Sequence, residues 1–333
     1  MAPDLPTFAW VQDAARHLDG RAVVTPLLEC PELSARLGGR ILVKAEMLQR
    51  TGSFKFRGAW NRIGRLSAAE RARGVVAWSS GNHAQGVAAA AALAGCKATI
   101  IMPKDAPAAK IARTRDLGAT IVLYDRDRES REAIGQALAD AQGAVIVPPY
   151  DDPYIIAGQG TIGLEIDRQA QGSAIDAVLV PCSGGGLSSG VALALSEVRP
   201  QTRVWVAEPA GFDDTGRSLA AGRFVENSGN GKTICDALMA PRPGERPFAL
   251  LSRFQAGAVC VSDPEVHQAM RFAFDHLKLV VEPGGAVALA ALLAGRIETK
   301  GKTIVAVLSG GNVDAALYRE AIAAEPGLTP SPS

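Results

Sequence analysis

Short apolar runs recur along the chain and are separated by longer alanine-rich stretches. The runs cover residues 40–44, 74–78, 98–102, 120–124, 177–180, 204–207 and 303–308, and are rich in Val, Ile and Leu. That composition predicts strands. The stretches 84–94, 108–117, 130–141, 187–198, 264–277 and 286–293 predict helices. Strands that are apolar throughout, without alternation, are buried on both faces, as in parallel sheets covered by helices. Strand and helix in turn define an open α/β fold. Pro148-Pro149-Tyr150-Asp151-Asp152-Pro153 interrupts the pattern, because proline removes donors and restricts φ. Asn227-Ser228-Gly229-Asn230-Gly231 and Pro241-Arg242-Pro243-Gly244 predict loops, and the tail 326–333 reads as disordered. No internal repeat is visible.

Composition narrows the class. A chain of 333 residues with 47% apolar residues can bury two cores. The net charge is +1, and acidic and basic residues are mixed, so no nucleic-acid partner is expected. Residues 1–10 lack a basic segment followed by an apolar one, and no secretory signal is expected. No stretch approaches the roughly 18 unbroken apolar residues of a membrane span. The five cysteines are scattered, without C-x-x-C spacing, which argues against disulfide frameworks and metal clusters. A soluble, cytoplasmic, globular protein is the expectation.

Candidate chemistry begins at Thr51-Gly52-Ser53-Phe54-Lys55-Phe56-Arg57-Gly58-Ala59, with Lys55 framed by aromatics in a short loop ahead of a helix. Most lysines are simply solvated. Here Phe54 could lie against a flat ring, and desolvation by Phe54 and Phe56 would lower the amine pKa towards that of a nucleophile or base. Ser183-Gly184-Gly185-Gly186-Leu187 joins an apolar run to a helical stretch. Glycines there let backbone N–H groups approach an oxyanion, and a helix N-terminus adds positive potential. An ordinary strand-to-helix turn is the plainer alternative. The G-x-G-x-x-G spacing is not met. Gly231-Lys232-Thr233 and Gly301-Lys302-Thr303 end like P-loops, but Glu226 and Arg296 stand where the earlier glycine is required. A lysine beside aromatic surface, together with a phosphate-sized glycine cradle, suggests a Schiff base between Lys55 and pyridoxal phosphate.

Two further segments fit that reading. Trp78-Ser79-Ser80-Gly81-Asn82-His83-Ala84-Gln85-Gly86 is again strand, turn and helix. Ser79, Gly81 and Asn82 offer donors to a carboxylate, although serine N-capping would explain the serines too. His83 reads as a packed helix residue. Leu308-Ser309-Gly310-Gly311-Asn312 is either a glycine-rich turn or the place where Ser309 faces a pyridine nitrogen.

In this order the segments resemble the pyridoxal-phosphate-dependent serine/threonine dehydratase and serine racemase family, of fold type II and similar to tryptophan synthase β. The resemblance runs from about residue 26 to 312 and includes Ala157-Gly158-Gln159-Gly160-Thr161 with Glu165. It implies two open, twisted, mostly parallel sheets flanked by helices. It also implies a large cofactor-binding lobe from 1–73 and 149–325, with a small lobe, 74–148, inserted in it. Lys55 would hold the cofactor and then act as base at Cα. Phe54 would pack near the ring, and Asn82 would bond the ring hydroxyl. Ser183, Gly184, Gly185, Gly186 and Leu187 would cradle the phosphate, with Ser183 where the family often has a further glycine. Ser309 would meet the ring nitrogen without keeping it protonated, which favours prompt β-elimination.

Other matches carry finer implications. Glu208-Pro209-Ala210-Gly211-Phe212-Asp213-Asp214 resembles the divalent-cation loop of racemases and some dehydratases. Glu208, Asp214 and the Phe212 carbonyl would bind Mg²⁺ or Ca²⁺ there; an acidic surface loop is the alternative. Ser80 stands where serine racemases use a serine opposite the lysine, and it is otherwise a contact for the substrate carboxylate together with Ser79, Gly81, Asn82 and His83. Arg131 matches an arginine that reaches a dicarboxylate in racemases, or it is a solvated helix residue. The roughly 100 to 150 further residues of a regulatory domain are not expected. The implied activity is dehydration and deamination of L-threonine or L-serine to a 2-oxo acid and ammonia. The alternatives are a 3-hydroxyaspartate dehydratase, a serine racemase, or a non-catalytic protein that binds pyridoxal phosphate. A homodimer or homotetramer is expected.

Overall fold

A computed structural model describes residues 4–228 and 231–323. The described residues form ten strands: β1 (Leu27–Glu29), β2 (Arg40–Ala45), β3 (Val75–Trp78), β4 (Ala98–Pro103), β5 (Thr120–Tyr124), β6 (Val145–Ile146), β7 (Ala177–Pro181), β8 (Arg203–Pro209), β9 (Gly257–Val261) and β10 (Thr303–Leu308). They make a six-stranded sheet in the order β1-β2-β10-β7-β8-β9 and a four-stranded sheet in the order β5-β4-β3-β6. Among these strands, β1 runs antiparallel to its neighbour and the other pairs are parallel. The fold is α/β with two open, mostly parallel sheets flanked by helices.

The apolar runs become strands because both sheet faces are covered. Ile41, Val43, Leu179, Ile304 and Ala306 pack with helix Pro283–Leu293, buried from Pro283 to Leu292, on one face. Their neighbours Leu42, Val178, Val180, Val305 and Val307 pack with helices Pro153–Gln169 and Gly186–Val198 on the other. Each Val, Leu or Ile side chain among them contributes roughly 1.5–3 kcal/mol on burial. In the small sheet, Val75, Ala77, Ile100 and Met102 face helices Asn82–Leu93 and Lys55–Ile63. Val76 and Ile101 face helix Arg131–Gln142.

Several elements depart from the expectations. β1, β6 and β9 are absent from the apolar pattern: the first two are three and two residues long, and β9 opens on Gly257, where a Cβ would collide with the Trp205 indole. The stretch 264–277 is not one helix. An α-helix, Asp263–Phe272, passes into a π-turn, Ala273–Leu277, that ends at Lys278 with φ 58°. Helix Pro153–Gln169, the longest, was masked by its glycines. A Cβ on Gly158 would meet the backbone of Arg57 and Gly58, so a bare backbone lets this helix press against the one that begins at Lys55. The expected disordered tail, 326–333, lies outside the described residues. Among the described residues no helix is long and apolar enough to cross a membrane.

Candidate active site

The loops that follow β3, β7 and β10 open on one cavity of about 200 Å³. In parallel sheets the strand C-termini are where ligands are received. Lys55 is the first residue of its helix, not part of a loop ahead of it. Its Nζ donates to the Pro149 carbonyl at 2.7 Å and lies 5.1 Å from the centre of the Phe54 ring. Burial, only partly offset by the Glu282 carboxylate, lowers its pKa to about 8. Phe56 does not desolvate this amine. Consecutive helix residues diverge, and Phe56 points into the core under the Arg50 guanidinium, 5.8 Å away.

Arg57 anchors the same helix. Its Nε bonds Glu46 at 2.8 Å and its Nη1 bonds Glu165 at 2.6 Å, while Lys44 bonds Glu165 at 2.6 Å. All four side chains are buried, so two positive and two negative charges balance inside the protein. Burial raises the Glu165 pKa, but the Arg57 and Lys44 charges outweigh it and hold the carboxyl below its ordinary range. Deep inside a protein such charges persist only when paired.

The glycine run forms a concave backbone surface. Gly185 has φ 88°, the left-handed region that favours glycine, and immediately precedes helix Gly186–Val198. A Cβ on Gly184 would land on the Tyr150 ring, and one on Gly186 would strike the Tyr150 backbone. The first N–H groups of that helix have no partner within it and suit a phosphate. Ser183 Oγ accepts from the Ala240 N–H at 3.2 Å, and Leu187 lines the cavity wall. Ser309 is buried at the same cavity, and its carbonyl accepts from the Phe54 N–H at 3.1 Å.

Ser79, Ser80, Gly81, Asn82 and His83 also line the cavity. The Gly81 N–H donates to Ser79 Oγ at 3.2 Å, and the helix starts at Asn82. The Asn82 carboxamide already has partners: its Nδ2 donates to Glu282, and its Oδ1 accepts from Asn312 at 2.8 Å. His83 Nε2 lies 2.9 Å from the Val147 carbonyl. Burial, then the nearby Lys55 charge, pushes its pKa down to about 3, so the ring is neutral at neutral pH. Arg131, at the start of its helix, lines the cavity with its side chain 45% exposed and its Nε on Glu132 at 2.8 Å.

Glu208, Phe212 and Asp214 do not line the cavity. The Glu208 carboxylate accepts from the Thr215 and Gly216 N–H groups at 3.0 and 2.8 Å. Asp214 Oδ1 accepts from Asn227 at 2.6 Å, while its buried Oδ2 has no partner. Burial, reinforced by the Asp214 charge, raises the Glu208 pKa to about 8, and burial raises that of Asp214 to about 6. Burial and repulsion by a neighbouring carboxylate account for both shifts. Among the described residues no group of three or more His, Cys, Asp or Glu is placed to hold a metal. Thr215 Oγ1 donates to the Ser183 carbonyl at 3.3 Å, tying this loop to the glycine cradle.

Several cavity residues escaped the sequence reading: Glu282, Tyr150, Lys110 and Asp236. Glu282 is 5% exposed, and burial raises its pKa to about 7 against the Asn82 hydrogen bond. An acid placed between Leu279-Val280-Val281 and Pro283-Gly284-Gly285 was a readable sign of a buried carboxylate. Tyr150, Lys110 and Asp236 carried no comparable signal.

The family profile described as pyridoxal-phosphate dependent enzyme matches residues 19–310. The chain belongs to the pyridoxal-phosphate-dependent enzymes. An L-threo-3-hydroxyaspartate ammonia-lyase of Pseudomonas is 43% identical over 92% of this chain and 95% of its own. An L-threonine ammonia-lyase of Thermotoga maritima is 41% identical over 91% of this chain and 75% of its own. The solved structure of maize serine racemase superposes with a TM-score of 0.90 at 35% identity, covering 96% of this chain and 98% of that one. The fold is accordingly that of fold type II enzymes. Its cofactor fits the observed site: Lys55 offers an amine in the cavity that the glycine cradle and Ser309 also line.

Proposed function

We propose that this enzyme is an ammonia-lyase for small β-hydroxy amino acids and that L-threo-3-hydroxyaspartate is its preferred substrate. Arg131 carries the choice of substrate: it lines the same cavity as Lys55 and suits a second carboxylate. The likeness to the hydroxyaspartate ammonia-lyase of Pseudomonas supports the same choice, whereas sequence motifs alone favoured L-threonine or L-serine. Bound pyridoxal phosphate supplies the electron sink for the carbanion at Cα. Gly184, Gly185, Gly186 and Leu187 hold its phosphate through backbone N–H groups, Ser183 braces that loop, and Phe54, Asn82 and Ser309 border the ring. The turn Ser79–Asn82 receives the α-carboxylate. Lys55 Nζ takes the α-proton, and the β-hydroxyl leaves as water with a proton. One water is later taken up, so the substrate becomes a 2-oxo acid and ammonium.

The same reading extends outward. Residues 1–73 and 149–325 form the large lobe and 74–148 the small one, with the cavity between them; the small sheet comes wholly from 75–146. Glu208 and Asp214, with the Phe212 carbonyl, bind Mg²⁺ or Ca²⁺ away from the reacting atoms. The cysteines are unpaired, in keeping with the reducing cytoplasm. Val23, Val24, Leu48 and Val280 are exposed apolar side chains. Gln49 bonds Val23, and Met47 and Val280 both flank Gly311, and exposed apolar side chains such as these suit contact with a second copy of the chain.

Racemisation of serine is the second reading, because Ser80 shares the cavity with Lys55. The test is 2-oxo acid release from L-threo-3-hydroxyaspartate, L-serine and L-threonine. Hydroxyaspartate should give the highest kcat/KM, and Arg131→Ala should lower that value about ten- to hundred-fold, the scale of a charge-assisted hydrogen bond. Faster turnover of serine or threonine, with Arg131→Ala neutral, returns the assignment to the monocarboxylic substrates.

A further inference from the structure

Lys110 lies in the first turn of helix Ala108–Asp116 and Asp236 in the 3₁₀ turn Asp236–Leu238, and their side chains meet at 2.5 Å. The pair spans 126 positions of sequence. Among the described residues it is the ion pair that joins segment 74–148 to the rest of the chain. Both residues line the cavity that holds Lys55 and Arg131. Both also act on Glu282 inside it, where the Asp236 charge opposes ionisation and the Lys110 charge favours it.

The two partners differ in how they are held. The Lys110 side chain is 18% exposed, whereas that of Asp236 is 58% exposed. Among the described residues the Asp236 carboxylate bonds only Lys110. An ion pair that open to water is worth little, about 0–1 kcal/mol. Another carboxylate arriving in the cavity can therefore exchange with it at small cost.

We infer that Asp236 is a specificity-determining residue: it occupies Lys110 and yields it to the distal carboxylate of a dicarboxylic substrate. The inference rests on the ammonia-lyase reading and deepens its choice of substrate. Arg131 and Lys110 then read the distal carboxylate together, one from each of two helices. A monocarboxylic substrate offers nothing to Lys110 and leaves the pair intact.

The test uses the holoenzyme and its Asp236→Asn and Lys110→Met variants. Succinate and butyrate, four-carbon acids with two carboxylates and one, are titrated at equilibrium by the change in cofactor absorbance. The kcat/KM ratio of L-threo-3-hydroxyaspartate to L-serine is measured in parallel. Asp236→Asn should tighten succinate about five-fold relative to butyrate and raise the kcat/KM ratio about five-fold. Lys110→Met should lower both by about ten-fold. If Asp236→Asn moves succinate and butyrate alike, the pair is a structural tie and the inference falls. If the holoenzyme releases 2-oxo acid from neither substrate, the ammonia-lyase reading fails, and the succinate titration still decides the role of the pair.

Discussion

Glu208 ionises near pH 4.5 when unfolded but only near about 8 inside the protein. The folded chain keeps that proton across the interval, so the stability tied to it is complete below 4.5 and is lost as pH rises through 8. Each proton lost early by the unfolded chain weighs about 1.4 kcal/mol per pH unit. In a chelator, Tm should therefore fall between pH 5 and 8 more steeply for the native protein than for Glu208→Gln, and Mg²⁺ or Ca²⁺ should restore it. Equal slopes for the two proteins, measured by calorimetry, would remove the cation from Glu208 and Asp214. At this scale, the place of Lys55, the glycine run and the serine-rich turn on one cavity was legible, because each puts a reactive or donor group at the start of a helix. Tyr150 was not legible. Its part is to cover Gly184 and Gly186, and nothing in Pro148-Pro149-Tyr150 says which loop it will meet.

Helix Lys55–Ile63 is held at its start by Arg57 and at its side by helix Pro153–Gln169. Replacing Arg57 by methionine would leave Glu46 and Glu165 facing Lys44 alone, with one net negative charge buried. Unfolding free energy should drop by about 3–5 kcal/mol, the scale for breaking a buried pair. Urea denaturation measures it, and a drop below about 1 kcal/mol, the surface-pair scale, would mean that water relieves the charge. The glycines of the neighbouring helix explain why it went unread. As isolated residues they weaken a helix by about 1 kcal/mol each. Here they admit a second backbone at close range, and packing outweighs propensity. The π-turn at Ala273–Leu277 was equally hidden, since its sequence keeps helical spacing throughout.

Across the whole molecule, an exposed apolar face and a cleft between two sheets are the features that propensity cannot supply. Leu48→Asp with Val24→Asp should convert a dimer or tetramer into monomers, as read by sedimentation. A native protein that already sediments as a monomer would instead make Val23, Val24, Leu48 and Val280 ordinary surface residues. The Lys110–Asp236 pair belongs to this scale as well, because it exists only once the two segments face each other.

The chain by itself determined its alternation of strands and helices and its cofactor class, and it pointed to the segments that line the cavity. Those features depend on local pattern: apolar runs that must be covered, glycines that expose N–H groups, and a lysine beside an aromatic ring. Tertiary structure alone decided that Glu282 shares the cavity with Lys55, that Asn82 spends its amide on Glu282 and Asn312, and that Arg57 closes a buried quartet. Those relations join positions up to 230 residues apart in one hydrogen bond. Burial then sets their charges, and burial is a property of the assembled fold.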